Sequence, residues 1–165
     1  MIYPMKQIST RLFRSLGLLL FFSLVFAAPA QAQLSKLHFG KYKIAAIRPQ
    51  GFTSASGAIE IEVTNDSTAF DMRNIAGVIY RNGKPFVQGV CQDIRVEPGA
   101  SVVRAEGMVA LCSGVSVWSL LGLLFTFDIN EFTVDIEMDI ENAKGKVERY
   151  EKKGISVAAL LHNRR

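Results

Sequence analysis

The chain has little material for crosslinks or metal chemistry: two cysteines and two histidines in 165 residues. One cysteine pair cannot supply the disulfide framework of a small stapled scaffold. His38 and His162 stand near opposite ends, and Cys91 and Cys112 are 21 residues apart, a set that matches no compact zinc site. No serine lies in a Gly-x-Ser-x-Gly elbow, and Gly107, Gly114, Gly122 and Gly145 form no phosphate loop. Clustered Lys and Arg on one stripe are missing too, which sets nucleic acid aside as a partner. These absences lead us to expect no cofactor, no metal and no catalysis.

What is present begins at the N-terminus. Lys6, Arg11 and Arg14 precede the apolar run Leu16–Phe26, and Ala27-Ala28-Pro29-Ala30-Gln31-Ala32 follows, with Ala30 and Ala32 at the small-residue positions a signal peptidase requires. The apolar run is short for a bilayer span, so a cleaved signal peptide over 1–32 is preferred to a retained anchor. Residues 33–165 then form a single domain, exported to the periplasm or envelope of a bacterium. Without the three signal cations, sixteen basic side chains face fifteen acidic ones, and the net charge falls from +4 to about +1. The apparent basicity belongs largely to the signal.

The remainder reads as short strands separated by turn residues. Tyr42–Arg48 forms a first strand ending at Pro49-Gln50-Gly51, and Leu34–Phe39 before it is ambiguous. Ala58–Thr64 alternates with period two, Ile59, Ile61 and Val63 to one side and Glu60 and Glu62 to the other. Ile75–Tyr80 and Phe86–Val90 flank Asn82-Gly83, a pair that tolerates the positive φ of a tight hairpin turn. Asp93–Val96 and Ser101–Val109 follow, on either side of Glu97-Pro98-Gly99. Phe132–Ile140 alternates most regularly, with Asp135, Glu137 and Asp139 on its polar side and Lys146, Glu148 and Lys152 expected as cross-strand company. After Asn142–Gly145, Val147–Tyr150 returns, and Gly154–Ala158 is a final strand or its continuation.

Between Gly107 and Phe127 there is no charged residue. This stretch opens on weakly apolar Ala, Cys, Ser and Gly, which counts against a transmembrane helix. A short helix near Ser116–Phe125 is expected instead, with Trp118, Leu121, Leu124 and Phe125 packed into the core or lining a small hydrophobic ligand site. Cys91 and Cys112 are a candidate disulfide in an oxidising compartment; the alternative is two small buried thiols.

Seven or eight turn-separated strands with one apolar face, plus one short helix, fit an all-β antiparallel sandwich. An eight-stranded outer-membrane barrel competes, against which stand the compact acidic faces, the non-alternating run and the final His162-Asn163-Arg164-Arg165. The order Ile59-Glu60-Ile61-Glu62-Val63-Thr64-Asn65-Asp66, then Val78-Ile79-Tyr80-Arg81-Asn82-Gly83-Lys84, Gly89, and Val96-Glu97-Pro98-Gly99-Ala100-Ser101 resembles the late embryogenesis abundant group 2 proteins and the related water-stress and hypersensitive-response (WHy) domain. The resemblance spans roughly Phe39–Val157, with Ser67 where the family pattern often has a second Asn. It implies an immunoglobulin-like or fibronectin-like sandwich, non-enzymatic and linked in some members to stress protection.

Two functions follow as expectations. In the first, an exported module contacts an envelope protein, a glycan or the membrane surface through exposed edges or loops around Gly51–Ser56 and Arg81–Lys84. In the second, a small carrier holds a lipid or other hydrophobic molecule beneath Trp118–Phe127.

Overall fold

The computed structural model describes residues 34–162 other than 124, with backbone alone at 34, 117, 120, 121 and 160–162. The expected signal peptide over 1–32, with Ala30 and Ala32, lies outside the described residues. Eight antiparallel strands dominate: β1 (Leu37–Gln50), β2 (Ser54–Asn65), β3 (Phe70–Arg81), β4 (Lys84–Cys91), β5 (Ile94–Val96), β6 (Gly99–Leu111), β7 (Phe132–Asn142) and β8 (Val147–Ser156). Two short helices, α1 (Val117–Leu123) and α2 (Val157–His162), and single 3-10 turns at Leu34–Lys36 and Ile129–Glu131 complete the described chain. Among the described residues no helix is long and apolar enough to cross a membrane.

The strands form one open sheet in the order β1-β2-β6-β4-β3-β7-β8, with β5 also paired to β3. β4 is its bridge. It pairs with β3 over Ile75↔Cys91 to Arg81↔Lys84 and with β6 over Val87↔Leu111 to Cys91↔Gly107. Beyond Cys91 the sheet divides: β5 stays with β3, while the first half of β6 stays with β2. Core-facing side chains from both branches, including Ile59, Val63 and Val103 from one and Phe70, Ile136 and Met138 from the other, belong to a single buried cluster. The result is a sandwich-like all-β domain whose layers share β4. It is open because no pairing joins the edge strands β1 and β8.

Period-two alternation explains most of this core. Along β7 every second residue from Phe132 to Ile140 is buried, and the intervening Thr133, Asp135, Glu137 and Asp139 are only partly so. β3 buries Phe70 and Met72 and then Ile75, Gly77 and Ile79, a set that breaks parity between 72 and 75. The break is a bulge. Opposite Arg73–Ala76, β7 spends one residue fewer, from Asp139 to Glu137, and Asn74 takes the extra position at φ 51°. One inserted residue returns the rest of β3 to the core face. Asn is suited to that left-handed backbone, and its amide donates to Asp139 Oδ2 at 2.8 Å.

The turns behave as their residues dictate. Asn82 and Gly83 have φ of 50° and 76°, as a two-residue hairpin turn requires. Asn65, buried at the end of β2, accepts from the Ser67 N–H at 2.9 Å and donates to the Thr68 carbonyl at 3.0 Å, closing the turn into β3. Asn142 organises the β7–β8 turn, its side chain accepting from the N–H groups of Lys144 and Lys146 at 3.0 Å.

Three expectations need correction. β1 begins at Leu37 and runs through Pro49 to Gln50, longer than Tyr42–Arg48; an edge strand tolerates proline because one side of it has no ladder to lose. The expected last strand over Gly154–Ala158 stops at Ser156, and Val157 starts α2. There β8 bulges opposite Val134–Ile136, with Gly154 at φ 66° and its N–H on Asp135 Oδ1 at 2.8 Å. The cross-strand company of the acidic face also differs: Arg149 pairs with Glu137 at 2.9 Å and Asp139 at 3.1 Å, and Arg73 with Glu141 at 2.7 Å. Glu148 and Lys152 sit opposite Ile140 and Ile136, which puts them on the other side of the sheet. Charged residues on the inner side of an edge strand discourage a further strand from pairing there.

Candidate interaction surface

One end of the sandwich gathers the β1–β2 turn at Gly51–Thr53, the β3–β4 turn at Asn82-Gly83, and the whole connection from Cys112 to Glu131. Backbone hydrogen bonds tie the three together: Leu111 N–H to Thr53 O at 2.8 Å, Cys112 N–H to Phe86 O at 3.0 Å, and Asn82 N–H to Glu131 O at 2.8 Å. The Arg81 guanidinium adds a bond to Glu131 Oε2 at 2.8 Å. The β3–β4 hairpin therefore grips both ends of the charge-free connection.

Within that connection Ser116 caps α1. Its hydroxyl accepts from the Ser119 N–H at 3.1 Å, satisfying one of the donors a helix start leaves open. At the other end the Thr126 hydroxyl donates back to the Gly122 carbonyl at 2.9 Å. A helix of seven residues is too short to hold itself, so tertiary anchors decide its place. Leu123 is the deep one, 3% exposed, and Val115 and Ile129 pack against the core on either side. Phe127 stacks on Phe132 at 5.6 Å between ring centroids, and Phe132 meets Phe86 edge-on at 6.0 Å.

The expected packing of the oily segment is only partly found. Trp118 is 80% exposed and Phe125 86% exposed, so neither fills the core. Leu124 lies outside the described residues, as does the side chain of Leu121. The reason is geometric. Two helical turns present one stripe to the sheet end; Leu123 lies on it, while Trp118, on another face of so short a helix, has no second layer to meet. Phe52, in the β1–β2 turn, is 81% exposed at the same end, and Phe127 is 47% exposed despite its stack. Among the described large apolar side chains the next most exposed is Val102, at 64%. The sequence marks Trp118 and Phe125 by their hydrophobicity. Phe52 was missed as a single residue; its signal is an aromatic in a Gln-Gly-Phe-Thr turn, where no alternation calls for burial.

Asp128 caps the Ile129–Glu131 turn, accepting from both nitrogens of Asn130, and is exposed without an ion pair among the described residues, whereas Glu131 is held by Arg81. Arg48, near the end of β1, and Lys84, beside the hairpin turn, are exposed and make no ion pair among the described residues. Unpaired exposed cations also occur away from this end, at Lys36, Lys41, Lys144 and Lys152, while other charges form cross-strand ladders, such as Lys43–Glu60–Arg104–Glu106 over β1, β2 and β6. Between the hairpin turn and α1, Arg81, Lys84, Pro85, Val115 and Ser119 line a groove of about 590 Å³.

The cysteine pair does not form a bridge: Cys91 and Cys112 are free thiols. The register explains it. Cys91 lies opposite Gly107, whereas Cys112 follows Leu111, which lies opposite Val87, so the two cysteines sit about five residues apart along the β4–β6 ladder. At roughly 3.4 Å per residue that is about 17 Å, far beyond the Cα spacing a disulfide spans. Burial, with Asp93 and Glu106 nearby, pushes the Cys91 thiol up to about 12. Cys112, less buried, is also raised, by burial alone.

A second concavity, of about 480 Å³, lies on the outer face of the sheet between Val90 and Met108 on one side and Tyr80, Asp135 and Lys153 on the other. Partial burial and the Asp135 carboxylate raise the Tyr80 hydroxyl above the ordinary phenol range, keeping it a neutral donor. Among the described residues no group of three or more His, Cys, Asp or Glu side chains is placed to hold a metal ion.

No family model and no curated protein matches the chain. Solved structures give remote likenesses. A protein from Archaeoglobus fulgidus is 14% identical with a TM-score of 0.41, over 71% of this chain and 94% of its own. A beta-glucuronidase from glycoside hydrolase family 2 is 15% identical at 0.33, over 73% of this chain and 13% of its own. A FixG-related protein from Vibrio parahaemolyticus is 12% identical at 0.28, over 73% and 96%. Scores of this size carry no argument about what the chain does.

Proposed function

We propose that the protein is a non-enzymatic, exported envelope domain, an immunoglobulin-like or fibronectin-like sandwich of the late embryogenesis abundant group 2 and WHy kind, that works by contact through one end of its sheet. The observation that carries this reading is the trio Phe52, Trp118 and Phe125, each at least 80% exposed and delivered to the same end by two segments, the β1–β2 turn and the Cys112–Glu131 connection. Exposed aromatics in such a cluster cost solubility unless something covers them. The loops singled out from sequence, Gly51–Ser56 and Arg81–Lys84, frame this end. The carrier reading has less support, since Trp118 and Phe125 face solvent instead of an interior cavity.

Photo-crosslinking in the intact producing cell tests the proposal, with a photoreactive residue at position 125 or, at the far end, at position 144. Adducts from 125 and none from 144 support it. Adducts from 144 alone, or a hydrophobic small molecule retained by the purified protein in native mass spectrometry, would overturn it, the latter in favour of the carrier.

A further inference from the structure

Resting on that reading, we infer that the aromatic end docks on the interfacial layer of an anionic lipid bilayer, with Phe52, Trp118 and Phe125 inserted among the headgroups and Arg48 and Lys84 on the surrounding phosphates.

Two observations favour a bilayer over a protein partner. The protruding side chains are aromatic, the type that settles at the boundary between headgroup and acyl chain, and one is a tryptophan. The segment that carries two of them has no charge from Gly107 to Phe127, and α1 has no acidic or basic residue in its first or last turn. A membrane-inserted edge needs this, because a charged side chain there would have to be desolvated. A protein interface would tolerate a polar, charged rim in the same place.

The charge around the patch has a small positive excess: Glu131 is paired with Arg81, and Arg48 and Lys84 together outweigh Asp128, none of these three having an ion-pair partner among the described residues. Each such cation near an anionic surface strengthens attachment by about fivefold.

The patch also lies away from the start of the domain. Leu37 is at the far end of β1, which runs for 14 residues, roughly 45 Å at strand rise, before it reaches Gly51. Because Trp118 is the single tryptophan of the chain, its emission reports attachment at the aromatic end.

The test uses the full chain and Trp118 fluorescence. Vesicles of phosphatidylcholine with phosphatidylglycerol should shift Trp118 emission to shorter wavelength, and brominated acyl chains in them should quench it. Phosphatidylcholine vesicles alone, or high salt, should weaken the shift. Phe125→Ala should weaken partitioning by at least about tenfold, the loss of one inserted aromatic. Lys84→Ala should weaken it by about fivefold, and Lys144→Ala, at the opposite end, should leave it unchanged. Unchanged Trp118 emission on anionic vesicles overturns the inference even if the chain co-sediments with them, because binding then runs through another part. An equal shift on neutral vesicles overturns its electrostatic half. A shift that grows with protein concentration in the absence of lipid overturns it in favour of a second copy of this chain. A retained ligand in native mass spectrometry instead strikes the underlying reading, so the two failures are distinguishable.

Discussion

Two apolar stretches lie side by side in the chain and end in opposite environments. β7 mixes Phe132, Val134, Ile136, Met138 and Ile140 with four carboxylates, yet all five apolar side chains are buried. The connection before it has no charge between Gly107 and Phe127, yet Trp118 and Phe125 stand in solvent. Hydrophobicity alone did not decide burial. β7 has the period of its own element and a second layer to meet, whereas the connection crosses the open end of the sheet, where among the described residues Leu123 is buried and Val115 and Ile129 are partly so.

Four truncations test that contrast. Phe70→Ala, in the fully buried face of β3, should cost about 3–5 kcal/mol in urea unfolding, because the layers cannot close over the void. Asn74→Ala probes the device that keeps β3 in phase with β7. It loses the hydrogen bond to Asp139 and puts alanine at positive φ, and should cost about 1–2 kcal/mol, with Asn74→Gly milder because the backbone strain is relieved. Arg149→Ala removes the bridge between Glu137 and Asp139 and should lower the unfolding midpoint by less than either, by an amount that shrinks in high salt. Trp118→Ala should change stability by no more than about 0.5 kcal/mol. A large loss there would mean that the aromatic end is structural.

The thiols sharpen the same contrast. Alkylation of the folded protein near pH 8 should label Cys112 first and spare Cys91, which keeps its proton to about 12. A pKa raised on folding means the folded state holds its proton where the unfolded chain has lost it. The Cys91 contribution is therefore fully present at neutral pH and is lost as pH rises from about 9 towards 12. A rise in stability over that window, measured by unfolding at several pH values, would contradict the assignment.

Much of the sheet was legible because its signals are local. The Asn82-Gly83 hairpin, the Ile59–Val63 alternation and the β7 pattern each lie within a few residues, and each element formed where expected. The bulges were not legible. Asn74 reads as an ordinary polar residue until β7 is set beside it, and the turn from β8 into α2 depends on Gly154 meeting Asp135 across the ladder. The candidate site was half visible: Trp118 and Phe125 could be picked out as unusual, but not which way they face.

The sequence by itself determined the all-β class, the main turn positions and the identity of the buried face along β2 and β7, because backbone propensity and period-two alternation act within one segment. Tertiary structure alone decided that β4 bridges two layers, that Cys91 and Cys112 stand apart, and that Phe52, Trp118 and Phe125 share one exposed end. Those facts depend on pairings between residues distant in the chain, whose register no single segment contains.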